Sequence, residues 1–586
     1  MKINTKWNLG LLYKSQKDKK IESDIEKLEK AINAFAMEYD IPDKNYLNDS
    51  KALYEVLIKY EKLSEENDIS VMSYYSFIQD LDANNRVATA QLELLGNRLT
   101  RIGNKMTFFI ISLGKIGEDL QKRFLESPEL EHFRFLLKNI FDTAKYHLSV
   151  PEEKILSLKS QTSFDMWVSG NDRILNKKTV KYKGKILPIA KAMNMVQALA
   201  KTRDRKELSN IISIVLQDIA SFSEAEINAI INDKKTDDEL RGLIKPYESR
   251  VISCENDMKV VEDLRKIVTD NFHIAKRFYK LKAKLLKQRR LGYYDRGAKI
   301  GKIRTLFSFE GSLGIFRNTL QNIDNRFVNI LDDYMKNGQV DVYPKIGKTG
   351  GAYCSGSYRR PTFVLLNHID DLHSFTTFAH EMGHAFHTEL SKSQGVLYSG
   401  YSISLAETAS TLFETIALDS VFEKLSKKEQ IIVLHDKIND DISTIFRQIA
   451  CFNFELELHN TIREKGFIPK EEIAKIHNKN MKAYLGPLFD IREIDGYFFV
   501  AWSHIRNFFY VYTYAYGQLV SKAMLAKYYK DKSFWKSIEK FLEAGGKASP
   551  EEILEEIGID VRSGEIWKVG LEQIDRDIER LEKLTK

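Results

Sequence analysis

The sequence predicts a mainly α-helical protein with one small β-sheet near residues 340–367. Apolar residues recur at helical spacing in many segments, whereas few segments show the period-two alternation of a half-buried strand. The chain has 586 residues. That is too long for one compact core, so we expect two or three lobes. Its 43% hydrophobic and 29% charged residues are typical of a globular protein.

Helical periodicity is clearest near the two ends of the chain. Apolar residues follow one another at steps of three or four across residues 21–35, and again across residues 567–581. Between them, Ser549 followed by proline predicts a helix start, with the serine as cap and Glu552 reaching back to it. These segments predict three amphipathic helices.

The strand candidates lie close together at Asp341–Tyr343, Ala352–Tyr353 and Thr362–Leu366. The second candidate lies in the glycine-rich stretch 347–357, which lacks the spacing and ending of a phosphate-binding loop. This stretch is either a flexible turn leading into an edge strand or a backbone that approaches an extended substrate closely. The residues alone leave both interpretations open.

Composition argues against membrane and nucleic-acid partners. No apolar run reaches the roughly 18–20 residues that span a bilayer, and residues 1–22 are lysine-rich without a signal-peptide core. Three cysteines far apart in sequence predict a reducing, cytoplasmic environment. A net charge of +7 is modest for this length. The basic run 276–304 could bind RNA, but the apolar stripe through its first part favours a helix with a wet basic face.

The chemistry-bearing motif lies at residues 380–384, with the sequence HEMGH. An apolar stripe at helical spacing predicts a helix over 371–390, formed by Phe375, Phe378, Met382, Phe386 and Leu390. His380 and His384 are one turn apart on its other face, so two imidazoles can take adjacent corners of a tetrahedral zinc site. Glu381 projects about 100° away and can act as general base, as in HExxH metallopeptidases.

A catalytic zinc needs a third protein ligand and one open position. His387 falls on the same face, but it is seven residues from His380, or about 10 Å along a straight helix, so we expect it to support the site without binding the ion. The longer HExxHxxGxxH pattern also fails, because His387 and Leu390 stand where glycine and histidine should be.

A carboxylate from a following helix is the alternative ligand. Residues 404–425 predict that helix, and Glu407 is our choice, although Glu389, Glu414 and Asp419 remain rivals on spacing alone. Glu414, two turns after Glu407, could accept a hydrogen bond from a ligand histidine and fix its tautomer.

Several motifs together resemble oligoendopeptidase F, a branch of the thimet oligopeptidase family of zinc metallopeptidases. The resemblance covers most of the chain and is strongest from about residue 290 to 520. It rests on Phe378–His387 (FAHEMGHAFH), Leu405–Ser410 (LAETAS), Leu291–Asp295 (LGYYD), Gly350–Gly356 (GGAYCSG), and His504 with Phe509–Tyr514 (FYVYTY).

The resemblance implies a zincin-like fold in which two mostly helical lobes clasp a deep substrate channel with one zinc ion at its floor. It implies an N-terminal helical region at 1–110, an oligoendopeptidase F N-terminal-like helical region at 111–195 and a catalytic domain at 196–586. It also implies Glu407 as the third ligand, ahead of its rivals.

The resemblance further implies how substrate is held and processed. The glycine stretch would be an edge strand that binds the substrate backbone through Gly350, Gly351, Ala352 and Tyr353. Glu381 would move the proton from water to the leaving amine, while His504 and a tyrosine stabilise the oxyanion. We favour Tyr510 and Tyr512 for that role, with Tyr514 behind them as a substrate contact.

The predicted function is therefore hydrolysis of internal bonds in short peptides, with zinc as the natural metal for two imidazoles and a carboxylate. An aminopeptidase or carboxypeptidase using the same zinc remains an alternative, since exopeptidases also carry HExxH. A silent peptide-binding protein on the same scaffold is a further alternative, although no ligand or base is missing from the sequence.

Overall fold

The computed structural model describes residues 3–66 and 69–586, and most of them are α-helical, as the sequence predicts. The apolar side chains form two separate cores. The first core is built from residues 7–141 together with two side chains of a later strand, and the second from residues 180–581. The chain therefore buries its apolar surface in two bodies, as its length suggests.

Among the described residues, seven α-helices pack around the first core. Each presents apolar residues at helical spacing to its neighbours, and the stripe predicted over residues 21–35 is buried on the first of them. These helices are α1 (Lys19–Tyr39), α2 (Ser50–Glu66), α3 (Val71–Leu81), α4 (Arg86–Gly103), α5 (Thr107–Gly114), α6 (Glu118–Glu126) and α7 (Arg134–Ala144).

A continuous helical segment followed by a β-hairpin links the two cores. Helices α8 (Val150–Ser160) and α9 (Met166–Lys177) are joined without a break by a π-helical turn at Gln161–Asp165. Strands β1 (Thr179–Tyr182) and β2 (Lys185–Pro188) then form an antiparallel hairpin.

Sixteen helices build the second core in the described part of the chain. They are α10 (Ile189–Ala198), α11 (Thr202–Leu240), α12 (Glu248–Ser253), α13 (Met258–Asp270), α14 (Phe272–Leu285), α15 (Phe309–Gln321), α16 (Asn325–Asn337), α17 (Leu372–Ser391), α18 (Ile403–Phe422), α19 (Lys427–Asp441), α20 (Arg447–Lys465), α21 (Lys470–Leu485), α22 (Tyr512–Lys530), α23 (Trp535–Glu543), α24 (Pro550–Glu556) and α25 (Glu565–Leu584). The predicted capping box at Ser549 begins α24, and the stripe over 567–581 lies on α25.

The three-stranded sheet predicted near residues 340–367 is present and lies where the two cores meet. Strands β4 (Val340–Asp341), β5 (Tyr353–Ser355) and β6 (Phe363–Leu365) are arranged in the order β4-β6-β5, with β5 antiparallel to β6. Because side chains alternate along a strand, Phe363 and Leu365 enter the first core, while Val364 enters the second. The central strand thus joins both cores.

The expectation of a single small sheet was wrong. Besides the hairpin β1–β2, strand β3 (Leu291–Gly292) pairs in parallel with β7 (Phe489–Asp490). The β3–β7 pairing covers only two residues of each strand, which are too few to show the alternation of apolar and polar residues that predicts a strand. The hairpin β1–β2 reverses within two residues because Lys183 and Gly184 both take positive φ, as a type I′ turn requires.

The basic run 276–304 is only partly engaged within the fold, since most of its basic side chains, among them Lys280, Lys284 and Arg290, are exposed. Its first part is α14, which buries the predicted apolar stripe. Arg277 pairs with Asp575 and Glu582 of α25, and Lys282 is fully buried, donating to Asn439 Oδ1. Among the residues described, no helix is both long and apolar enough to cross a bilayer, and all three cysteines are free thiols.

Candidate active site

Helix α17 carries the HEMGH motif on the face opposite its buried stripe. Asp371 caps the helix by accepting a hydrogen bond from Ser374 N at 2.8 Å. The stripe residues Phe375, Phe378, Met382 and Phe386 are all fully buried. This packing fixes the rotation of the helix, so His380 and His384 face a cavity.

The two imidazoles converge with a carboxylate from α18. His380 Nε2 lies 3.4 Å and His384 Nε2 lies 3.8 Å from Glu407 Oε2, and the three ligand atoms all lie within 4.8 Å of one another. Donor atoms bound tetrahedrally at about 2.0–2.2 Å from zinc would lie roughly 3.3–3.5 Å apart. The donor set and its spacing therefore fit a zinc ion.

Two glycines allow the helices around this cluster to approach closely. A Cβ on Gly383 of α17 would lie 2.7 Å from Ser410 Cα of α18, and a Cβ on Gly517 of α22 would lie 3.0 Å from Glu407 Cβ. Any side chain at Gly383 would push the two ligand-bearing helices apart, because the obstructing atom is backbone.

Glu414 lies one layer behind the cluster. Its Oε2 is 2.9 Å from His380 Nδ1, which orients the ring so that Nε2 faces Glu407. Burial alone would lower the pKa of His380, but its hydrogen bonds to Glu407 and Glu414 raise it well above the usual value. Burial would raise the pKa of Glu407, yet the hydrogen bond from His380 and the charges of both histidines lower it to about 2.

Glu381 lies beside the cluster in the same cavity and is 6% exposed. Burial raises the pKa of its carboxyl to about 7, and the charges of Glu407 and Glu414 add to the effect while His380 opposes it. The carboxyl is therefore held in a poorly hydrated position next to the three candidate ligands.

The cavity has a volume of about 410 Å³ and one wall formed by strand β5. Ala352, Tyr353 and Cys354 line it. Tyr353 is anchored from the other core, because its hydroxyl donates to Asp80 Oδ2 at 2.6 Å. Gly350 and Gly351 do not line the cavity but precede this strand, and a Cβ on either would meet open space.

His387 is placed away from the ligand atoms, stacked face to face on Tyr401 with ring centroids 3.6 Å apart. Burial lowers the pKa of His387 to about 3, so the ring is neutral. Tyr401 and Thr388 share a hydrogen bond of 3.1 Å and both line the cavity. Sequence reasoning missed these two residues, since nothing in their spacing distinguishes them from structural polar groups.

The segment after His504 brings together some of the predicted tyrosines but not all. The ring of His504 lies 5.7 Å from that of Tyr510 and 5.9 Å from that of Tyr514, and the two hydroxyls are 2.6 Å apart. Burial raises the pKa of Tyr514, and the charge of Glu407 adds to the rise.

Tyr512 lies elsewhere. Its side chain is fully buried and its hydroxyl donates to Asn256 Oδ1 at 2.9 Å in the second core. Tyr510 and Tyr514 differ by one helical turn and share a face, whereas a residue two positions from each points to the opposite side. This placement leaves Tyr512 no surface for a substrate. The run of tyrosines in the sequence does not reveal which of them face His504, because that depends on how the segment is oriented.

An unusual backbone positions this segment. Phe508 and Phe509 both have positive φ, at 38° and 60°, a conformation that bulky residues rarely adopt. Glu455 accepts a hydrogen bond from Phe509 N at 2.7 Å. Arg250 donates to Phe508 O at 3.1 Å and to Asn507 O at 2.6 Å. We call Arg250 and Glu455 the backbone clamp, because they hold the turn that presents Tyr510 to His504.

Comparison with known proteins agrees with this geometry. A family model described as Peptidase family M3 matches residues 224–572, and one described as Oligopeptidase F matches residues 113–174. An oligoendopeptidase F homolog of Borreliella burgdorferi is 27% identical over 98% of each chain, and the oligopeptidase PepF of Bacillus subtilis is 24% identical over 91% of this chain and 81% of its own.

Solved structures share the fold. A protein from Chlamydophila abortus superposes with a TM-score of 0.83 at 22% identity, over 99% of this chain and 98% of its own. The oligoendopeptidase-F from Enterococcus faecium gives a TM-score of 0.72 at 17% identity, over 97% of this chain and 99% of its own. The predicted mainly helical architecture and the resemblance to oligoendopeptidase F are both confirmed.

Proposed function

Since the chain belongs to peptidase family M3, we propose that it is a zinc-dependent endopeptidase that hydrolyses internal bonds of short peptides. The observation on which this rests is the convergence of His380, His384 and Glu407 on one point, with Glu381 beside them in the same cavity. Relatives named oligoendopeptidase F and oligopeptidase support the substrate class.

In this proposal His380, His384 and Glu407 hold the metal, and Glu414 holds His380 in the tautomer that offers Nε2. Zinc bound there would supply a Lewis acid for the scissile carbonyl and would lower the pKa of water toward neutrality. His387 supports the site by packing, since it stacks on Tyr401 at the cavity wall.

Glu381 is the proposed general base. Its carboxylate takes a proton from the attacking water and delivers it to the nitrogen of the leaving amine, so one residue serves both halves of the reaction. Its burial excludes bulk water, which would otherwise compete for the proton.

His504 and Tyr510 are the proposed donors to the oxyanion that develops on the scissile carbonyl, with Tyr514 beside them as a substrate contact. Burial, aided by the positive charge of Arg447, lowers the pKa of His504 to about 4, so the ring is neutral at neutral pH and can donate one N–H. The Tyr510 and Tyr514 hydroxyls share a single hydrogen bond, which leaves one of the two protons for a substrate oxygen.

The substrate backbone would lie along β5. This strand is at the edge of its sheet, because it pairs with β6 on one side only within the described residues. An extended peptide can add to such an edge through main-chain hydrogen bonds. These bonds do not depend on the amino-acid sequence of the peptide. Gly350 and Gly351 would leave room for that backbone at the start of the strand.

The division of the chain at residues 110 and 195 and the location in the cytoplasm remain predictions.

The test of this proposal is cleavage of an internally quenched peptide whose two ends are blocked. We expect cleavage at an internal bond that is lost with a chelator and restored by zinc. Cleavage that requires a free amino or carboxyl end would instead identify an exopeptidase. No cleavage across a varied peptide set, with zinc bound stoichiometrically, would contradict the proposal.

Substitution Glu381→Gln separates metal binding from proton transfer. The variant keeps the shape of the side chain and should retain zinc, while kcat should fall by roughly 10²–10⁴-fold because the general base is lost. Metal content by atomic spectroscopy is the control. Near-normal turnover in a zinc-loaded variant would eliminate Glu381 as the base.

A further inference from the structure

A second cavity, of about 230 Å³, lies apart from the metal cluster. Its walls come from helices α10 and α11, from the turn after β3, from the first residue of α20 and from the 3₁₀ segment Glu493–Ala501. Tyr293, Arg296, Arg447 and Phe498 are among its lining residues. We call it the arginine cavity.

Both arginines are held against aromatic rings. The guanidinium of Arg296 lies 4.0 Å from the ring of Tyr293 and 5.2 Å from that of Phe498. The guanidinium of Arg447 lies 4.6 Å from the ring of Trp502 and 5.6 Å from that of Phe498. Stacking fixes the planes of the two groups and leaves their N–H edges free to meet a ligand.

The carboxylates nearest in sequence are already neutralised by other arginines. Asp295 pairs with Arg205 at 2.8 Å, and both side chains are fully buried. Asp495, which lines the cavity, pairs with Arg492. Within residues 3–66 and 69–586, neither cavity arginine has a carboxylate within 4 Å.

Polar groups of the cavity also lack partners. The guanidinium of Arg296 makes one hydrogen bond, to Tyr293 O at 3.2 Å. In the described parts of the chain, Arg447 Nε and the hydroxyl of Tyr293 have none, although both atoms are buried and Tyr293 is 4% exposed. Two positive charges and a buried hydroxyl without partners are costly unless an anion or water satisfies them.

We propose that the arginine cavity is an oxyanion subsite that binds the C-terminal carboxylate of a bound peptide. The inference rests on the proposed peptidase function. A carboxylate matches the fork of a guanidinium and can accept from two of them at once.

The cavity lies within reach of His504. The ring of Trp502 lies 6.4 Å from that of His504, which together with its contact to Arg447 places the guanidinium within about 11 Å of His504, or roughly three extended residues. Arg447 is also close enough for its charge to lower the pKa of His504. The subsite would therefore favour peptides that end a few residues after the cleaved bond.

Binding can be measured without turnover in the zinc-loaded Glu381→Gln protein by titration calorimetry. The probes are two versions of one peptide, with a free C-terminal carboxylate and with a C-terminal amide. We expect the free acid to bind about 10–100-fold more tightly, as expected for hydrogen bonds between charged groups. Equal affinities would overturn the subsite while leaving peptide binding, and hence the proposed function, intact.

Substitutions then locate the effect. Arg447→Gln or Arg296→Gln, each added to Glu381→Gln, should reduce the difference between the two peptides, and Arg447→Lys should restore part of it. Arg580→Gln is the matched control, because Arg580 also stacks on a ring, that of Phe422, but pairs with Glu423 and lines neither cavity. An unchanged difference in folded Arg447→Gln and Arg296→Gln proteins would overturn the assignment.

Inorganic phosphate distinguishes the two possible sources of an oxyanion. Phosphate that competes with the free acid but not with the amide supports the peptide carboxylate as occupant. Phosphate that binds through Arg447 while both peptides bind equally would show that a free anion fills the cavity, and would overturn the peptide assignment. Failure of both peptides to bind would contradict the proposed function. In that case, phosphate binding would still show whether the arginine cavity holds an anion.

Discussion

Helix α17 and the segment from His504 to Tyr514 position side chains of the proposed active site by different means. Helix α17 places His380, Glu381 and His384 through regular backbone geometry and a buried apolar face. The later segment depends on two consecutive residues with positive φ. Local periodicity suffices for the first region, whereas the second needs contacts from distant parts of the chain.

The cost of the second arrangement is conformational. Left-handed backbone in a residue other than glycine costs on the order of 1–3 kcal/mol. At Phe508 and Phe509 the clamp residues Arg250 and Glu455 offset this cost through three hydrogen bonds. Damage to α17 should therefore abolish metal binding, while damage to the clamp should disturb the oxyanion donors and leave the metal in place.

The largest expected effect is that of Glu407→Ala. Loss of the one carboxylate in the cluster leaves two imidazoles, so we expect zinc to dissociate on dialysis and activity to fall by more than about 10³-fold. Metal content and peptide cleavage measure the two effects. Glu389→Ala tests the rival ligand, since that side chain instead accepts from Tyr334 and Thr362. Full zinc retention by Glu407→Ala would contradict the assigned ligand.

Tyrosine substitutions test the second region. Tyr510→Phe should lower kcat by roughly 10²–10³-fold without loss of zinc, because one oxyanion donor is removed. Tyr512→Phe should lower kcat little and cost about 1 kcal/mol of unfolding free energy, because it loses its hydrogen bond to Asn256. The reverse order of the two kcat values would show that the active conformation differs from this one.

Glu414→Gln should have an intermediate effect, which falls on zinc binding by the first region. The amide can still contact His380 Nδ1 but no longer supports the ring with a negative charge, so we expect zinc affinity to fall about 10–100-fold. Competition with a fluorescent chelator measures this. Excess zinc should restore most of the activity, and failure of that rescue would indicate a direct catalytic role for Glu414.

Glu455→Gln should have the smallest effect on activity, and it should change how the stability of the protein depends on pH. Burial raises the pKa of Glu455 to about 8 from a reference value of 4.5, although Phe509 N and Arg250 oppose the rise. The folded protein therefore keeps the carboxyl of Glu455 protonated up to a higher pH than the unfolded chain does. The stabilisation is complete below about pH 4.5 and is lost as pH rises through about 8, by on the order of 5 kcal/mol.

Denaturant unfolding at several pH values checks this prediction. Stability of the wild-type protein should fall more steeply than that of Glu455→Gln between about pH 5 and pH 8.5. We expect kcat to fall by less than about 10-fold, because glutamine can still accept from Phe509 N. If the unfolding free energies of the two proteins change in parallel with pH, Glu455 does not cause the pH dependence of stability.

Much of the first region could be predicted from residue spacing. The buried stripe and the one-turn separation of His380 and His384 determine a helix with both imidazoles on one face. Spacing left Glu407 among several acids, and the resemblance to a known family favoured it before the structure placed it beside the histidines. Tyr401 and Thr388 gave no signal, because their roles depend on where separate segments meet.

By itself the sequence determined the helical fold, the motif helix and the chemistry of the metal donors, because all three depend on residue type and on spacing within a few turns. Only the tertiary structure decided which tyrosines face His504, that β6 joins two cores, and that Arg296 and Arg447 share a cavity in which, among the described residues, neither has a carboxylate within 4 Å. Those arrangements depend on contacts between residues hundreds of positions apart, such as Arg250 with Phe508. No local pattern records such contacts, because they arise only when the helices pack.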